Sequence, residues 1–336
     1  MHLKSIPALQ ALDPRTVTET MKNCNVHGCS IALLHEGELL QSMDFGVASP
    51  TNAPVTQETL FECASLTKMH FSAMALKFCE DGLFDLDRPV MEQWSGTPWS
   101  DDPRFSMITP RHILSHTSGL PNWASKPMFM RFTPGTQFSY SGEGYYLLQT
   151  MIEQMTQQSL DQLLQQTIFG PLGMDAFVVW TDSLASRFST GFAPDGSVCK
   201  VRDHKRTSGN GPEPNAAWSL YGNAHSLSRF LSWVISAHAG LGSHMFHEMT
   251  GPQVNAGNHV CWGLGTGLCT DDPNVVWHWG DNAGFQSLMI GDLATGDGMI
   301  IITNSSSGLD FCFRLLGDST DFCGIPSLQA FLRTAE

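Results

Sequence analysis

The pattern of apolar positions runs from strand-like to helical and back along the 336 residues. Near the N-terminus, Cys29-Ser30-Ile31-Ala32-Leu33-Leu34 is β-like, His35-Glu36-Gly37 turns, and Glu38 to Val47 returns, so residues 28–48 read as a hairpin. A helix follows from about Ser65 to Glu80. Its apolar residues Met69, Ala73, Met74 and Leu76 fall at helical spacing, and Asp81-Gly82 closes it. From roughly 85 to 240 helix signals dominate. Thr109 to Leu114 has threonine as cap and proline at the first position, and Glu143 to Thr156, Leu160 to Phe169 and Ser226 to Ala239 read as further helices. The C-terminal part is again β-like over Cys261 to Leu268, Val275 to Trp279, Gly284 to Gly291 and Gly298 to Thr303, with Met299-Ile300-Ile301-Ile302 reading as a central buried strand. A last helix includes Leu328 to Thr334.

Strands at both ends with helices between them predict an α+β fold: one antiparallel sheet made from both termini, flanked by helices, with a mainly helical insertion. The expected division is residues 1–84 and 241–336 for the sheet domain and 85–240 for the inserted domain, with the active site at their junction.

Composition narrows the function. Apolar residues make up 42% of the chain and charged residues 15%, which suits a sizeable core. The net charge of −14 repels phosphate backbones and anionic lipid, so neither nucleic acid nor membrane is an expected partner. A neutral or cationic small molecule suits that field better. No apolar run reaches membrane-spanning length and no signal peptide is evident. Nine cysteines without a Cys-x-x-Cys pair read as reduced thiols, and the expected location is cytoplasmic. Oligomeric state is left open.

Three segments carry candidate chemistry. Ser65-Leu66-Thr67-Lys68 starts a helix, and residues three apart share a helical face, so hydroxyl and amine can meet. A desolvated lysine can take the serine proton, and the helix N-terminus favours a developing oxyanion. Taken alone, the pair reads first as an N-cap serine before a surface lysine. Phe138-Ser139-Tyr140-Ser141-Gly142 puts a tyrosine on a polar turn before a helix. A tyrosinate beside a lysine ammonium is a competent base, and a hydroxyl that merely caps the helix is the alternative. Trp277-His278-Trp279-Gly280-Asp281-Asn282 is a strand whose glycine admits close backbone approach, or a bulge with aromatic flanks.

In that order, and together with Asp81-Gly82-Leu83-Phe84-Asp85-Leu86-Asp87-Arg88-Pro89-Val90 and the stretch Ile108 to Pro121, these segments resemble the serine β-lactamase and penicillin-binding-protein superfamily. Within it, the class C β-lactamase-like esterases, transesterases and D-amino-acid peptidases are the most similar. The resemblance spans about residues 25–305 and implies the β-lactamase/transpeptidase-like fold. It implies Ser65 as nucleophile, Lys68 in proton transfer, Tyr140 as partner base and proton donor to the leaving group, and backbone N–H groups of Ser65 and Asp281 as the oxyanion hole. His278-Trp279-Gly280 matches the superfamily's Lys-Thr-Gly strand. Neither cofactor nor metal is implied.

Two positions depart from the superfamily pattern. Gly142 stands where its peptidases and β-lactamases carry the Asn of Tyr-x-Asn, and His278 stands for a permanently cationic lysine. A histidine of pKa ~6.5 is mostly neutral at pH 7. Both changes weaken recognition of anionic amides and are tolerable for esters. The expected function is a serine hydrolase or acyltransferase on small-molecule esters. The alternatives are a D-amino-acid peptidase or β-lactamase, or an inactive binding protein of the same fold. His278, Trp279, Gly280, Gly142 and Trp123 are the expected substrate contacts, with Trp123 on an apolar acyl pocket. His116 is expected to make structural hydrogen bonds, His244 and His247 to be surface groups rather than metal ligands, and Gly317-Asp318-Ser319 to be a loop.

Overall fold

A computed structural model describes residues 12–124, 127–200, 214–236, 240–319 and 325–335. The chain opens with α1 (Pro14–Asn23), β1 (Gly28–His35), β2 (Glu38–Gly46), β3 (Phe61–Ala64) and α2 (Leu66–Glu80). The middle holds α3 (Val90–Gln93), α4 (Pro110–Leu114), α5 (Gly142–Thr156), α6 (Leu160–Leu164), β4 (Gly191–Phe192), β5 (Val198–Lys200), β6 (Leu220–Gly222), α7 (Ala224–Ile235) and α8 (Ser243–Thr250). The C-terminal part supplies β7 (Val254–Gly257), β8 (Val260–Trp262), β9 (Gly267–Cys269), β10 (Val275–Asn282), β11 (Phe285–Asp292), β12 (Gly298–Thr303), α9 (Gly308–Ser319) and α10 (Ile325–Ala335).

The α+β class and the sheet shared by both termini are as expected. Eight strands run in the order β2-β1-β12-β11-β10-β9-β8-β7, antiparallel throughout. Side chains alternate across this sheet and feed two cores. Ala32, Leu34, Met289, Ile300 and Ile302 face one core, shared with α2, α5 and α7. Ile31, Leu33, Trp277, Leu288, Ile290 and Ile301 face the other, shared with α1, α9 and α10. Helix α2 is buried from Leu66 to Leu76, polar residues included, and reaches solvent only in its last turn. An apolar helix without a polar face belongs at the centre of a protein, and there it holds Lys68 out of water.

Several elements differ from the sequence reading. The run Cys261 to Leu268 is two strands, β8 and β9, because Gly265 turns the chain at φ +86° and donates its N–H to the Leu114 carbonyl at 2.9 Å. Helix α7 starts at Ala224 on an Asn223 cap, and positions 237–239 of the expected helix lie outside the described residues. Although α7 falls within 85–240, it packs on β1 and β12 of the sheet. Gly317-Asp318-Ser319 is the end of α9, whose buried Phe311, Cys312, Leu315 and Leu316 follow helical spacing over the sheet. Helix α1, capped by Asp13 with Pro14 at its first turn, and the short strands β3, β6 and β7 are further additions. Among the described residues no helix is long and apolar enough to cross a membrane.

The contact of β10 with β3 sets the geometry of everything that follows. A Cβ on Gly280 would lie 2.3 Å from the Cys63 carbonyl oxygen and 2.4 Å from Ser287 Oγ. Ser287 Oγ in turn donates to that carbonyl at 3.1 Å. Asn282 Nδ2 adds a bond to Glu62 Oε2 at 2.7 Å. Gly280→Ala should therefore force β10 off β3 and destabilise the fold by about 1–3 kcal/mol. A urea-unfolding midpoint equal to wild type would refute this account of Gly280.

Candidate active site

Ser65 sits between β3 and α2. The residue before it, Ala64, has φ +49°, a left-handed conformation that costs an alanine about 1–2 kcal/mol. Thr67 Oγ1 holds the kink by donating to the Ala64 carbonyl at 2.5 Å while accepting the Leu220 N–H at 2.9 Å. Ser65 occupies the N-cap position of α2, yet its side chain makes no capping hydrogen bond. The capping alternative is thereby removed, and the hydroxyl is half-buried and available for chemistry.

One turn along α2, Lys68 is 1% exposed, so the surface-lysine alternative is also removed. Its Nζ donates to Ser65 Oγ at 3.0 Å and to the Ala217 carbonyl at 2.7 Å. Burial holds the lysine well below its ordinary pKa. The ammonium position lies 4.7 Å from the Tyr140 ring centre and 5.6 Å from that of Tyr145. The Ala217 carbonyl also accepts from Ser65 Oγ at 3.4 Å. This backbone acceptor is a member of the site that no side-chain motif signals. It is fixed by Ala217 N–H on Asn215 Oδ1 at 2.9 Å and Ala216 N–H on Gln149 Oε1 at 2.8 Å.

Tyr140 comes from the turn before α5, but Ser141 is the cap, accepting the Gly144 N–H at 3.0 Å. The Tyr140 hydroxyl is buried without a hydrogen bond of good geometry. Burial pushes its pKa well up, and the neighbouring Ser65 hydroxyl works in the opposite direction. His116 does make structural hydrogen bonds, and two of them flank this tyrosine. Its carbonyl accepts the Ser139 N–H at 2.8 Å, its Nδ1 accepts the Ser141 N–H at 3.1 Å, and its ring centre is 4.2 Å from that of Tyr140. An accepting Nδ1 places the His116 proton on Nε2.

The expected substrate contacts divide. His278 is fully enclosed, with Trp279 stacked on its ring at 5.3 Å and Trp262 at 5.4 Å. Its Nδ1 meets the Trp279 carbonyl at 2.7 Å, which fixes the lone pair on Nε2. Burial first and Lys68 second lower its pKa to about 3. Its side chain belongs behind the reacting groups rather than against substrate, because residues 275–280 of β10 are buried on both faces. Trp279 is 6% exposed and packs 4.8 Å from Tyr140, and Gly280 serves the β3 contact described above. Asp281 is exposed, accepts from Gln286 Nε2 at 3.1 Å, and follows directly on the Gly280 contact with Cys63 and Ala64. Gly142 opens α5, and Trp123 lies over it, half-buried. His244 Nε2 is 3.7 Å from Glu248 on exposed α8, and no metal-ligating group is found among the described residues.

A family model described as Beta-lactamase matches residues 14–314. The chain is 27% identical over 232 residues to a D-aminopeptidase of Gluconobacter oxydans, covering 61% of this chain and 41% of that protein. It is 25% identical over 213 residues to penicillin-binding protein 4 of Amycolatopsis lactamdurans, covering 58% and 53%. The chain thus spans about half the length, or less, of these curated relatives. Two solved structures share the fold. They are a β-lactamase/D-alanine carboxypeptidase from Pseudomonas syringae (TM-score 0.72, 20% identity, 90% of this chain and 97% of that one) and an octameric penicillin-binding protein homologue from Pyrococcus abyssi (0.74, 21%, 90% and 76%).

The buried bases make stability depend on pH. His278 and His70 are lowered from 6.5 to about 3 and about 4 by burial, and His116 is lowered as well. Below pH ~6.5 the unfolded chain binds protons that the folded one refuses, so acid favours unfolding. Each histidine should remove up to about 1.4 kcal/mol per pH unit between 6.5 and its folded pKa. Urea midpoints at pH 7.5, 6 and 5 test this, and a flat series would contradict neutral buried histidines.

Proposed function

The chain belongs to the beta-lactamase family, and from that premise we propose that it is a serine hydrolase or acyltransferase acting on small-molecule esters through an acyl-Ser65 intermediate. The observation that carries the ester reading is His278. The position where the superfamily resemblance calls for a lysine holds an enclosed imidazole with its pKa at about 3. It offers a substrate carboxylate neither access nor charge.

In this reading Lys68, pushed toward its neutral form by burial, accepts the Ser65 proton across the 3.0 Å contact. Ser65 Oγ bonds to the ester carbonyl carbon, and the oxyanion is received by the N–H groups of Ser65 and Asp281, a provision of about 3–4 kcal/mol in comparable sites. As the bond to the leaving oxygen breaks, the proton passes through Tyr140 to that oxygen. Water or an alcohol then enters by the same steps in reverse order of proton flow, which gives hydrolysis or transfer. Apo geometry leaves the Tyr140 hydroxyl without a close partner, and such contacts tighten when substrate fills the site.

A D-peptidase or β-lactamase reading also has support, in the D-aminopeptidase and penicillin-binding relatives. Intact-protein mass after brief exposure to p-nitrophenyl acetate or to a penicillin separates the two. The expected result is a Ser65-dependent acetyl adduct or ester turnover, lost in Ser65→Ala and reduced at least about 100-fold in Lys68→Ala, with little penicillin adduct. Penicillin turnover rivalling that of the ester would reverse the assignment. Lack of reaction with both reagents would favour a binding protein.

A further inference from the structure

The loop Pro121–Ala124 is sewn to the start of α5. Ser141 Oγ donates to the Pro121 carbonyl at 2.8 Å, Gly142 N–H to Asn122 Oδ1 at 2.9 Å, and Glu143 N–H to the Asn122 carbonyl at 3.1 Å. The Ala124 N–H donates back to Glu143 Oε1 at 3.2 Å. These bonds pin the residue between them, Trp123, with its indole against the α-carbon of Gly142. A Cβ at position 142 would stand 2.4, 2.6 and 2.8 Å from three indole carbons. No side chain can stand at 142 while the indole is there.

Position 142 is adjacent to the chemistry. Ser141, extended at φ −140° and ψ 114°, is the one residue between Gly142 and Tyr140. The Tyr140 ring lies beneath Lys68 Nζ, 4.7 Å away. Through Gly142 the indole is thus placed two residues along the chain from Tyr140, and it is only partly covered.

We infer that Trp123 is a specificity-determining platform: its indole takes the volume of the missing side chain at Gly142 and receives the flat or extended apolar group of a neutral ester. This rests on the ester reading of Ser65. An indole face offers contact area without a hydrogen-bond acceptor, so an amide laid there leaves its polar atoms unpaired, whereas an alkyl or aryl group loses nothing.

Two ester pairs test the platform. p-Nitrophenyl hexanoate against acetate varies the acyl group, and benzyl against methyl acetate varies the alcohol. The ratio of kcat/KM within a pair, measured on one preparation, cancels the fraction of active enzyme. Wild type is expected to favour the larger member of one pair by at least about tenfold, with most of that preference lost in Trp123→Ala and part restored in Trp123→Phe. The pair affected tells which side of the ester lies on the indole. No preference in either pair, or ratios unchanged by Trp123→Ala, overturns the proposal. A second cycle needs no substrate. Gly142→Asn should lower the melting temperature, and Trp123→Ala in the same chain should recover part of that loss. Additive losses would mean the indole does not occupy position 142. The ester reading fails separately, by the absence in wild type of both a Ser65-linked acetyl mass and Ser65-dependent ester turnover.

Discussion

The site depends on one unfavourable act, the burial of the Lys68 amine on a helix with no wet face. A lysine charge held there without a carboxylate would be expensive, and burial drives the group toward its neutral form. An amine pushed toward neutrality 3.0 Å from a hydroxyl is within reach of that hydroxyl's proton. Everything around it preserves that arrangement. The Ala217 carbonyl gives the amine a second partner at 2.7 Å, so one N–H is satisfied whether or not Ser65 has yielded its proton. The left-handed Ala64 turns the chain so that Ser65 meets Lys68 rather than capping α2. Gly280 lets β10 approach the same kink from the other side. Strain at Ala64 and close contact at Gly280 are costs that the two cores on either side of the sheet offset.

Much of this was legible in the sequence, because helical spacing is a geometric rule. Ser65 and Lys68 had to share a face of any helix, and the change of apolar period along the chain already implied a sheet from both termini. Sequence could not choose between the serine as cap and the serine as nucleophile, since both need the same residue at the same place. The hydrogen bonds, with Ser65 uncapped and Ser141 capping, remove the cap reading and leave the nucleophile as the reading we propose. Position 278 misled for a different reason. On a strand buried on both faces, alternation gives no sign of which side chain meets solvent, so a motif position was read as an open contact. Ala217 acts through its carbonyl, which no residue type encodes, and the stacking of Trp123 on Gly142 joins two loops whose sequences hold no periodic signal.

The charge state of the centre follows from these placements, and it alters the acid–base reading. A tyrosinate beside a lysine ammonium requires at least one stable cation near the phenol. Here Lys68, His116 and His278 are all held below their ordinary pKa values by burial, and Tyr140 is held above its own. Burial thus pushes all four groups toward their neutral forms, and a charge on Lys68 would further disfavour one on either histidine. The two imidazoles reach this state with opposite tautomers, set by the Ser141 N–H on one side and the Trp279 carbonyl on the other. In the mechanism we propose, Lys68 takes the proton from Ser65 and the phenol relays it to the leaving oxygen, and the anion that appears on the substrate carbonyl is held by backbone N–H groups, which stabilise it most where no competing charge stands nearby.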